Sequence, residues 1–417
     1  MAISASNANA VSTLNGLFKE VYGDSVQNLI PDGVKLMKDV PFVPKNKTTG
    51  NEYHQPVIVA QEHGFSYGGP DGTAFALADP NPGQVKDAKV QGYEFVLRTA
   101  ISTASISRSQ GDHAAFESAT KLIVANMVRS FAKRLECIML YGQRNIGVVE
   151  AISGSVITIT AASWAPGIWS GAVNMITNAF NAAGTTKRSG DMKITGINLA
   201  TRAITVDTPA TSLAPTDQLN HLGAGNLAHS AGSNEFPGLE AIMRNSGLLF
   251  NINAATYDLW KSTVYSAGSA DLSFQKLNKA VALAAAKGLE EDVEVHVSPV
   301  TWAKLNSDQA ALRMFDSSYK QDVARTGSKS LEYASANGVM KIHSNIYVKE
   351  SLAFLFPKDS LMRVGSTDVT FKRPGQGDEY FRDLENNSGV ELRAYTDQAL
   401  FCYEPSKLVL IDNIVNS

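Results

Sequence analysis

The most regular hydrophobic pattern in this chain lies between residues 113 and 141. Apolar side chains recur there at steps of three or four residues, the period of one helix face. Asp112 is placed to cap the start of a helix, and Gly142 is placed to end it. The pattern therefore predicts a spine helix over His113–Tyr141, about 40 Å long. Its predicted buried face consists of Phe116, Thr120, Val124, Val128, Phe131, Leu135 and Ile138.

Alternating apolar and polar positions before this helix predict a long β-hairpin over residues 48–102. Tyr53, Val57 and Val59 share one face of the outgoing strand, and Val90–Ile101 forms the predicted return strand. The segment between them is dense in Gly, Pro and Asp, which favour turns. A connection of this length within a compact domain is typically functional or projecting.

Residues 1–47 carry apolar side chains in short bursts, the first with helical spacing over Val11–Val21 and the second over Leu29–Phe42. Gly and Pro interrupt the segment too often for it to build a core of its own. We therefore predict an N-terminal arm whose apolar side chains are covered by another surface. That surface belongs either to the same subunit or to a neighbour.

The composition changes over residues 146–230, where charge nearly vanishes and β-branched residues form short runs such as Val156–Thr160 and Ala203–Val206. These runs, separated by Gly, Asn and Asp, predict a small all-β insertion. Within it, Trp164 and Trp169 flank a Pro-Gly pair. Two indoles in a small β module are typical of its core, and stacking on a sugar is the alternative.

Residues 231–375 return to a mixed pattern. A helix is predicted over Phe274–Lys287, capped by Ser273 and ended by Gly288. The predicted elements that follow are a strand over Val293–Val297, a helix that begins at Pro299 and a strand over Gly338–Val348, which comes before the apolar run Leu352–Phe356. This order indicates a small α/β layer, and Val390–Ile414 is again strand-like. The chain as a whole is predicted to be α+β.

Composition excludes some classes of protein. The chain has 417 residues, of which 44% are hydrophobic and 18% charged, so it has ample material for a core. Lys and Arg number 37 against 40 Asp and Glu, a net charge of −3, which argues against sequence-independent binding of nucleic acid. Cys137 and Cys402 lie in apolar runs and are predicted to be buried, reduced thiols.

Neither the first residues nor the longest apolar stretch has the pattern of a secretion signal or a transmembrane segment. The first eight residues lack the charged and apolar regions of a secretion signal. The longest apolar stretch, Leu122–Leu140, contains two arginines, a lysine and a glutamate and is not expected to cross a membrane.

No constellation of residues indicates catalysis. Gly223–Ala228 matches a dinucleotide-binding pattern in its letters, but it does not follow a buried parallel strand. His221 and His229 are the nearest pair of histidines, without a carboxylate at ligand spacing. The acidic run Glu290–Asp292 is predicted to be solvated. We therefore predict no catalytic, cofactor-binding or metal-binding residue, and no enzyme.

The order of these parts resembles the major capsid proteins of tailed bacteriophages with the Hong Kong 97-type fold. The stretches that carry the resemblance are the spine Ala114–Tyr141, the segment Phe274–Leu305 and the terminal run Val390–Ile414, while Ser163–Gly171 is similar to podovirus-like members. The resemblance implies six parts. They are an N-terminal arm (1–47), an extended loop (48–102), a peripheral domain with the spine helix (103–145), the all-β insertion (146–230), an axial domain (231–375) and closing strands of the peripheral domain (376–417).

The resemblance also implies a function. The chain is expected to be a major capsid protein that self-assembles into pentamers and hexamers of an icosahedral head shell around the phage genome. The implied partners are copies of itself, a separate scaffolding protein, a portal protein and a decoration protein. Packaged DNA is contacted without sequence-specific binding, and no membrane is involved. The implied location is the virion, after synthesis and assembly in the host cytoplasm.

The remaining expectations concern covalent cross-linking within this family and the alternative functions. Some members cross-link a loop lysine to a neighbour's asparagine, and Lys86 and Lys89 lie in the corresponding loop, although solvated lysines are the commoner case.

One alternative function is a tail or adhesin-type binding protein that uses Trp164 and Trp169 for glycans. Another is a hydrolase with an unrecognised geometry.

Overall fold

The computed structural model of the chain describes residues 33–43, 52–108, 119–224, 233–313, 330–335, 338–372, 380–385 and 387–416. The helices of this part are α1 (Leu36–Asp39), α2 (Thr103–Arg108), α3 (Ala119–Tyr141), α4 (Pro166–Trp169), α5 (Leu239–Met243), α6 (Phe274–Ala285) and α7 (Pro299–Arg313). Its strands are β1 (Tyr53–Ala60), β2 (Gln84–Val90), β3 (Tyr93–Ser102), β4 (Gly147–Ser153), β5 (Val156–Ile159), β6 (Ile176–Phe180), β7 (Met192–Asn198), β8 (Ala203–Val206), β9 (Gln218–His221), β10 (Leu248–Leu249), β11 (Ile252–Asn253), β12 (Thr263–Ala270), β13 (Val293–Val297), β14 (Ser330–Ser335), β15 (Gly338–Ser344), β16 (Ala353–Pro357), β17 (Leu361–Thr370), β18 (Phe381–Asp383), β19 (Gly389–Cys402) and β20 (Val409–Ile414).

The largest sheet in the described chain has six strands in the order β12-β20-β16-β13-β15-β14. The pairs β12–β20 and β13–β15 are parallel, and the other pairs are antiparallel. Helix α6 buries the predicted face of Leu277, Ala280, Val281 and Ala284 in the core of this unit. The predicted cap and stop are confirmed. The Ser273 hydroxyl accepts a hydrogen bond from the backbone N–H of Lys276, and Gly288 has the left-handed φ of +100°.

A second sheet is organised around the long strand β19. Residues 389–398 of β19 pair with β3 along one edge, while β17 and β18 pair with the other edge. The closing strands are thus divided. β19 lies in this sheet, whereas β20 completes the six-stranded sheet, and β17 leaves the predicted axial segment to join β19. The pairing of β17 and β20 does not follow their order in the sequence, because strand pairing depends on long-range contacts that a local pattern does not encode.

The hairpin is formed by β1 and β2, with Tyr53 opposite Val90 and Ala60 opposite Gln84. The predicted return strand Val90–Ile101 was wrong, because residues 93–102 form β3 and pair with β19. Both segments alternate with a period of two, so periodicity alone does not identify the partner of β1. A Cβ on Gly92 would lie 2.1 Å from Oδ1 of Asp397 in β19, so any other residue there would require that carboxylate to move.

The segment between α3 and α5 contains a closed barrel, whose described strands follow the order β4-β5-β8-β7-β6-β9 and are all antiparallel. The β-branched runs predicted here are strands, and their alternate side chains fill the barrel. Ile157, Ile159, Ile194 and Ile204 have no exposed surface. Closure removes sheet edges that would otherwise be open to unwanted pairing.

Helix α3 is the spine that the sequence predicts, and its described 23 residues span about 35 Å. The predicted start at His113 lies outside the described residues. Phe131, Leu135 and Ile138 are buried as predicted, but Val128 is 46% exposed and Met127 occupies the buried face instead. A repeat of 3.6 residues drifts around the helix, so a strict choice of every fourth residue leaves the buried face after two turns.

Gly142 was predicted to end α3 as a glycine in the left-handed conformation. The residue with a positive φ at this helix end is instead Gln143, at 61°, so Gly142 is required for another reason. The N–H of Gly238 donates to the carbonyl of Gly142 at 3.0 Å. A Cβ on Gly142 would lie 2.1 Å from the carbonyl oxygen of Phe236. Glycine is therefore required here by the close approach of the chain before α5.

His296 is a buried titratable group in the middle of the six-stranded sheet. Its ring stacks on Phe356 with centroids 5.2 Å apart, and Nδ1 has no hydrogen-bond partner among the described residues. The charged groups that face it are His343, which pairs with Glu294, and Lys35. Burial, assisted by the positive charges of His343 and Lys35, lowers the pKa of His296 to about 3.

We expect the free energy of unfolding to decrease as the pH falls below about 6.5, the ordinary pKa of histidine. The unfolded chain takes up a proton on His296 there, whereas the folded chain does so only near pH 3. At pH 5 this difference amounts to about 2 kcal/mol. Urea unfolding at pH 7.5 and pH 5 measures the effect. His296→Leu should reduce the decrease in the free energy of unfolding by about 2 kcal/mol and leave the part that comes from the other buried histidine, His221, whereas His63→Leu, at an exposed site, should leave the whole decrease in place. An unchanged pH dependence in His296→Leu would contradict the assignment.

Candidate assembly surfaces

The residues examined for catalysis and metal binding do not come together. Within the described ranges, no group of three or more His, Cys, Asp or Glu side chains is arranged to hold a metal ion. His221 is buried in β9, and His229 lies outside the described residues. The Gly223–Ala228 motif follows β9, which pairs antiparallel with β4 and β6. A dinucleotide-binding motif follows a parallel strand instead. Glu290–Asp292 are exposed, as predicted.

Cys137 and Cys402 are both buried and unpaired, as the sequence predicts. Burial raises the pKa of each thiol to about 12. Because the thiolate is the nucleophilic form, these cysteines are structural and unreactive at neutral pH.

Trp164 and Trp169 form part of the core. Their rings stack with centroids 6.1 Å apart and planes 6° apart, and the side chains are 3% and 0% exposed. The Trp164 carbonyl accepts from the N–H of Glu350 at 3.0 Å, and the Gly167 N–H donates to the Ile346 carbonyl at 2.9 Å. The pair therefore joins the barrel to the segment before β16. The alternative prediction that these indoles stack on a glycan is wrong, because neither ring has a solvent-exposed face.

The hairpin β1–β2 projects from a firmly held base. The backbone N–H of Lys89 donates to the carbonyl of Phe250 at 3.0 Å, and the Tyr257 hydroxyl bonds Oε1 of Gln84 at 3.1 Å. Beyond this base the chain continues into residues 61–83, which we call the tip. Apart from half-buried Ser66 and Gly83, every residue of the tip is exposed.

The tip presents large apolar side chains to solvent. Phe65, Tyr67, Phe75 and Leu77 are between 50% and 87% exposed. The tip also contains three carboxylates, on Glu62, Asp71 and Asp79, and no Lys or Arg. Clustered exposed apolar groups with a polar rim are typical of an interaction surface.

Internal hydrogen bonds hold the two sides of the tip together. The N–H of His63 donates to the carbonyl of Asn81 at 3.0 Å, and the N–H of Ala78 donates to Oγ of Ser66 at 2.6 Å. The apolar side chains are consequently presented on a preformed loop, which reduces the entropy lost when it binds a partner.

The end of the N-terminal arm lies on its own subunit. A single buried carboxylate, Glu136 of α3, accepts the backbone N–H groups of Lys35, Leu36 and Met37 at 3.2, 3.0 and 2.8 Å. Burial raises the pKa of Glu136, and these three donors oppose the rise. No role was predicted for Glu136, whose signal in the sequence is that it is the one carboxylate within the apolar run Leu122–Leu140.

Arg363 of β17 holds the other end of this segment. Its Nε donates to the Val40 carbonyl at 3.0 Å, its backbone N–H donates to the Pro41 carbonyl at 2.8 Å, and its guanidinium lies 5.6 Å from the Phe42 ring centroid. The apolar side chains of Val34, Leu36 and Val40 are therefore buried on the same subunit. Residues 1–32 and 44–47 of the predicted arm lie outside the described residues.

Lys86 and Lys89 lie in β2, near the base of the hairpin rather than in the tip. Lys89 Nζ is 3.8 Å from Oε2 of Glu52, and Lys86 Nζ is 6.0 Å from the ring centroid of Tyr257. Their solvated, uncross-linked state stays a prediction.

No described helix combines the length and the apolar character that crossing a membrane requires.

Comparisons with known proteins identify the fold through structure alone. No protein-family model matches the sequence, and no curated protein matches it either. Among solved structures, the chain is similar to the capsid asymmetric unit of cyanophage A-1(L), with 10% identity, a TM-score of 0.56 and coverage of 98% of this chain and 100% of that chain. It is also similar to the capsid of the native GTA particle, with 8% identity, a TM-score of 0.52 and coverage of 98% and 99%. The capsid of the empty GTA particle gives a TM-score of 0.51 at 8% identity, with coverage of 98% and 99%.

These similarities extend over nearly the whole chain, and they confirm the predicted α+β architecture of Hong Kong 97 type. At this level of identity they establish the fold.

Proposed function

We propose that this chain is a phage major capsid protein whose copies assemble into pentamers and hexamers of an icosahedral head shell. The observation that carries the proposal is the projecting tip, whose exposed Phe65, Tyr67, Phe75 and Leu77 have no cover on their own subunit. The solved structures that share the fold over their full length, at TM-scores above 0.5, are those of capsids, which supports this reading.

The physical basis is a head-to-tail contact. In a closed ring, one surface patch of a subunit meets a different patch of the next. A preformed apolar tip on a held base provides one such patch. A subunit in a shell makes several contacts at once, and because each acts within an assembly already formed, modest contacts suffice for a stable particle.

The proposed domains follow the sheets rather than simple sequence order. The peripheral domain comprises α3 and the sheet of β3, β17, β18 and β19, and the hairpin β1–β2 is the extended loop. The axial domain comprises α6, α7 and the six-stranded sheet, including β20. The barrel is the insertion, and residues 1–47 are the arm.

The proposed partners for shell assembly are copies of the chain, a separate scaffolding protein and a portal protein, and a decoration protein on the outside of the shell is an optional addition. The proposed location is the virion, after assembly in the host cytoplasm. The net charge of −3 suits a wall that encloses DNA without sequence-specific binding. The role is structural and not enzymatic.

The proposal is tested by electron microscopy and light scattering of the full-length chain, expressed alone and with its scaffolding protein. Closed shells with pentameric and hexameric units are expected in the presence of the scaffolding protein. A chain that stays monomeric or trimeric under both conditions would contradict a capsid function and favour a binding protein.

A further inference from the structure

A cavity of about 370 Å³ opens between α3 and the turn that follows α4. Its helical wall contains positions of α3 that are spaced three or four residues apart and so share one helix face: Asn126, Arg129, Lys133 and Cys137. Much of the remaining lining is apolar and includes Val34, Leu97, Ile168, Val173, Met175 and Tyr347. The cavity therefore combines a cationic helix face with an apolar surface.

The turn over residues 170–175, which lines the cavity, is held by its own backbone. The N–H of Met175 donates to the carbonyl of Ala172 at 3.0 Å, and the N–H of Asn174 donates to the carbonyl of Ile194 in β7 at 2.8 Å. The cavity is consequently preformed within one subunit, so a ligand does not have to order the turn when it binds.

The cations of the cavity are poorly compensated. Lys133 Nζ donates to the carbonyl of Ser170, and in the part of the chain that the structure describes Arg129 and Arg134 form no ion pair. The described lining contains no Asp or Glu. The carboxyl group that acts on Arg134 is that of Glu235, whose pKa burial raises to about 7, so it is only partly ionised at neutral pH. The cavity therefore has a positive charge without a matching negative one.

His221 adds an unused hydrogen-bonding group to the same cavity. Its side chain lines the cavity and is 4% exposed, and neither ring nitrogen has a hydrogen-bond partner among the described residues. Burial, together with the charges of Arg134 and Lys133, lowers the pKa of His221 well below its ordinary value, so the ring is neutral at pH 7 and has one N–H to donate. Because buried polar groups normally have a partner, this ring points to an acceptor supplied by a ligand.

We propose that this cavity binds a small amphipathic organic anion, whose acidic head lies against Lys133, Arg134 and His221 and whose apolar body lies along the apolar lining. An arginine guanidinium matches the two oxygens of a carboxylate with two parallel N–H groups, and a lysine adds a point charge. The site is complete within a single subunit, so it goes beyond the proposed shell function and does not depend on it.

The size of the cavity favours an organic anion over an inorganic one. Cavities that hold small molecules typically measure about 300–1,000 Å³, and this one, at about 370 Å³, falls within that range. A water molecule takes up about 30 Å³ of the liquid, so an ion as small as phosphate would leave much of the cavity to water. That water would lie against apolar side chains, which an apolar body covers instead.

Calorimetric titration of the full-length, unassembled chain at pH 7.5 tests the proposal with three probes. Octanoate has both the acidic head and an apolar body, and it is expected to bind saturably at one site per chain. Butyrate retains the head with little body, and 1-octanol retains the body without the charge, so each should bind at least tenfold more weakly. Butyrate or inorganic phosphate that binds as tightly as octanoate would assign the cavity to any free anion and overturn the proposal. Octanol that binds as tightly would overturn it as well.

Two variants locate the binding of octanoate. Arg134→Gln removes a cation that faces the head and should weaken binding at least tenfold. Val173→Trp leaves the charges unchanged and obstructs the cavity with a larger side chain. Val173 is 50% exposed, so the variant should stay folded by circular dichroism and lose octanoate binding, and it decides the matter if Arg134→Gln fails to fold. The control Lys193→Gln, exposed on β7 outside the cavity lining, should bind octanoate as the original chain does. Unchanged binding in either folded cavity variant would overturn the proposal.

Shell assembly is measured separately from octanoate binding. A chain that binds octanoate in the cavity but never forms shells would support this site and contradict the proposed function. Shells from a chain that does not bind octanoate would overturn the site and leave the proposed function in place.

Discussion

Deletion of Tyr67–Gly83 is expected to give a soluble, folded subunit that no longer forms closed shells. Apart from half-buried Gly83, these residues are exposed on their own subunit, and the remaining residues 61–66 are enough to connect β1 to β2. Shortening this connection to six residues changes the loop-closure part of the free energy of unfolding by only about 1 kcal/mol. The thermal unfolding midpoint should therefore stay close to that of the intact chain, while the yield of particles seen by electron microscopy falls to background.

A control variant keeps the length of the tip and replaces Phe65, Tyr67, Phe75 and Leu77 by Ser. It should fail to assemble in the same way, because the apolar contact rather than the reach of the loop is removed. Normal shells from the deletion variant would show that the tip has no part in assembly. An unfolded deletion variant would show that the tip stabilises its own subunit.

Phe131→Ala is expected to lower the free energy of unfolding by about 3–5 kcal/mol, the usual cost of deleting a buried aromatic side chain. Phe131 is 1% exposed, and its ring lies 4.7 Å from that of Phe95 in β3. The same cluster contains Leu392 and Ala394 of β19, so the residue joins the spine helix to the sheet. Denaturant unfolding of the unassembled subunit measures the change.

Val128→Ala is the matched control on the same helix. Val128 is 46% exposed, so its truncation should change the free energy of unfolding by no more than about 0.5 kcal/mol. Equal losses in the two variants would mean that α3 does not present its Phe131 face to the sheet. A negligible loss in Phe131→Ala would lead to the same conclusion.

Local patterns predicted the types of most elements. The helix Phe274–Ala285 with its Ser273 cap, the strand Val293–Val297 and the β-branched runs of the barrel all occur where the sequence places them. Side-chain period, capping and turn formation act over a few neighbouring residues, so they can be interpreted directly along the chain. Exposure of the tip was predictable for the same reason, since its Gly- and Pro-rich sequence cannot continue either strand.

The candidate surfaces were only partly predictable. The tip follows from local sequence, but the cavity of about 370 Å³ between α3 and the barrel joins residues of α3 to His221, which lies nearly ninety positions later. Arg129, Lys133 and Arg134 look like the solvated face of a long helix when read alone. Only the fold, which brings the barrel against that face, converts them into the wall of a cavity.

The sequence by itself determined that this chain has a spine helix, a projecting tip rich in turn-forming residues, a small β insertion and an α/β layer, because each depends on interactions between near neighbours. The tertiary structure decided which strands pair: β3 pairs with β19, whereas β20 lies in the six-stranded sheet. It also placed Glu136 under the backbone of Leu36, 100 positions away, and Arg363 under that of Val40, 323 positions away. Contacts over such separations arise from the packing of the whole chain, and no local periodicity encodes them.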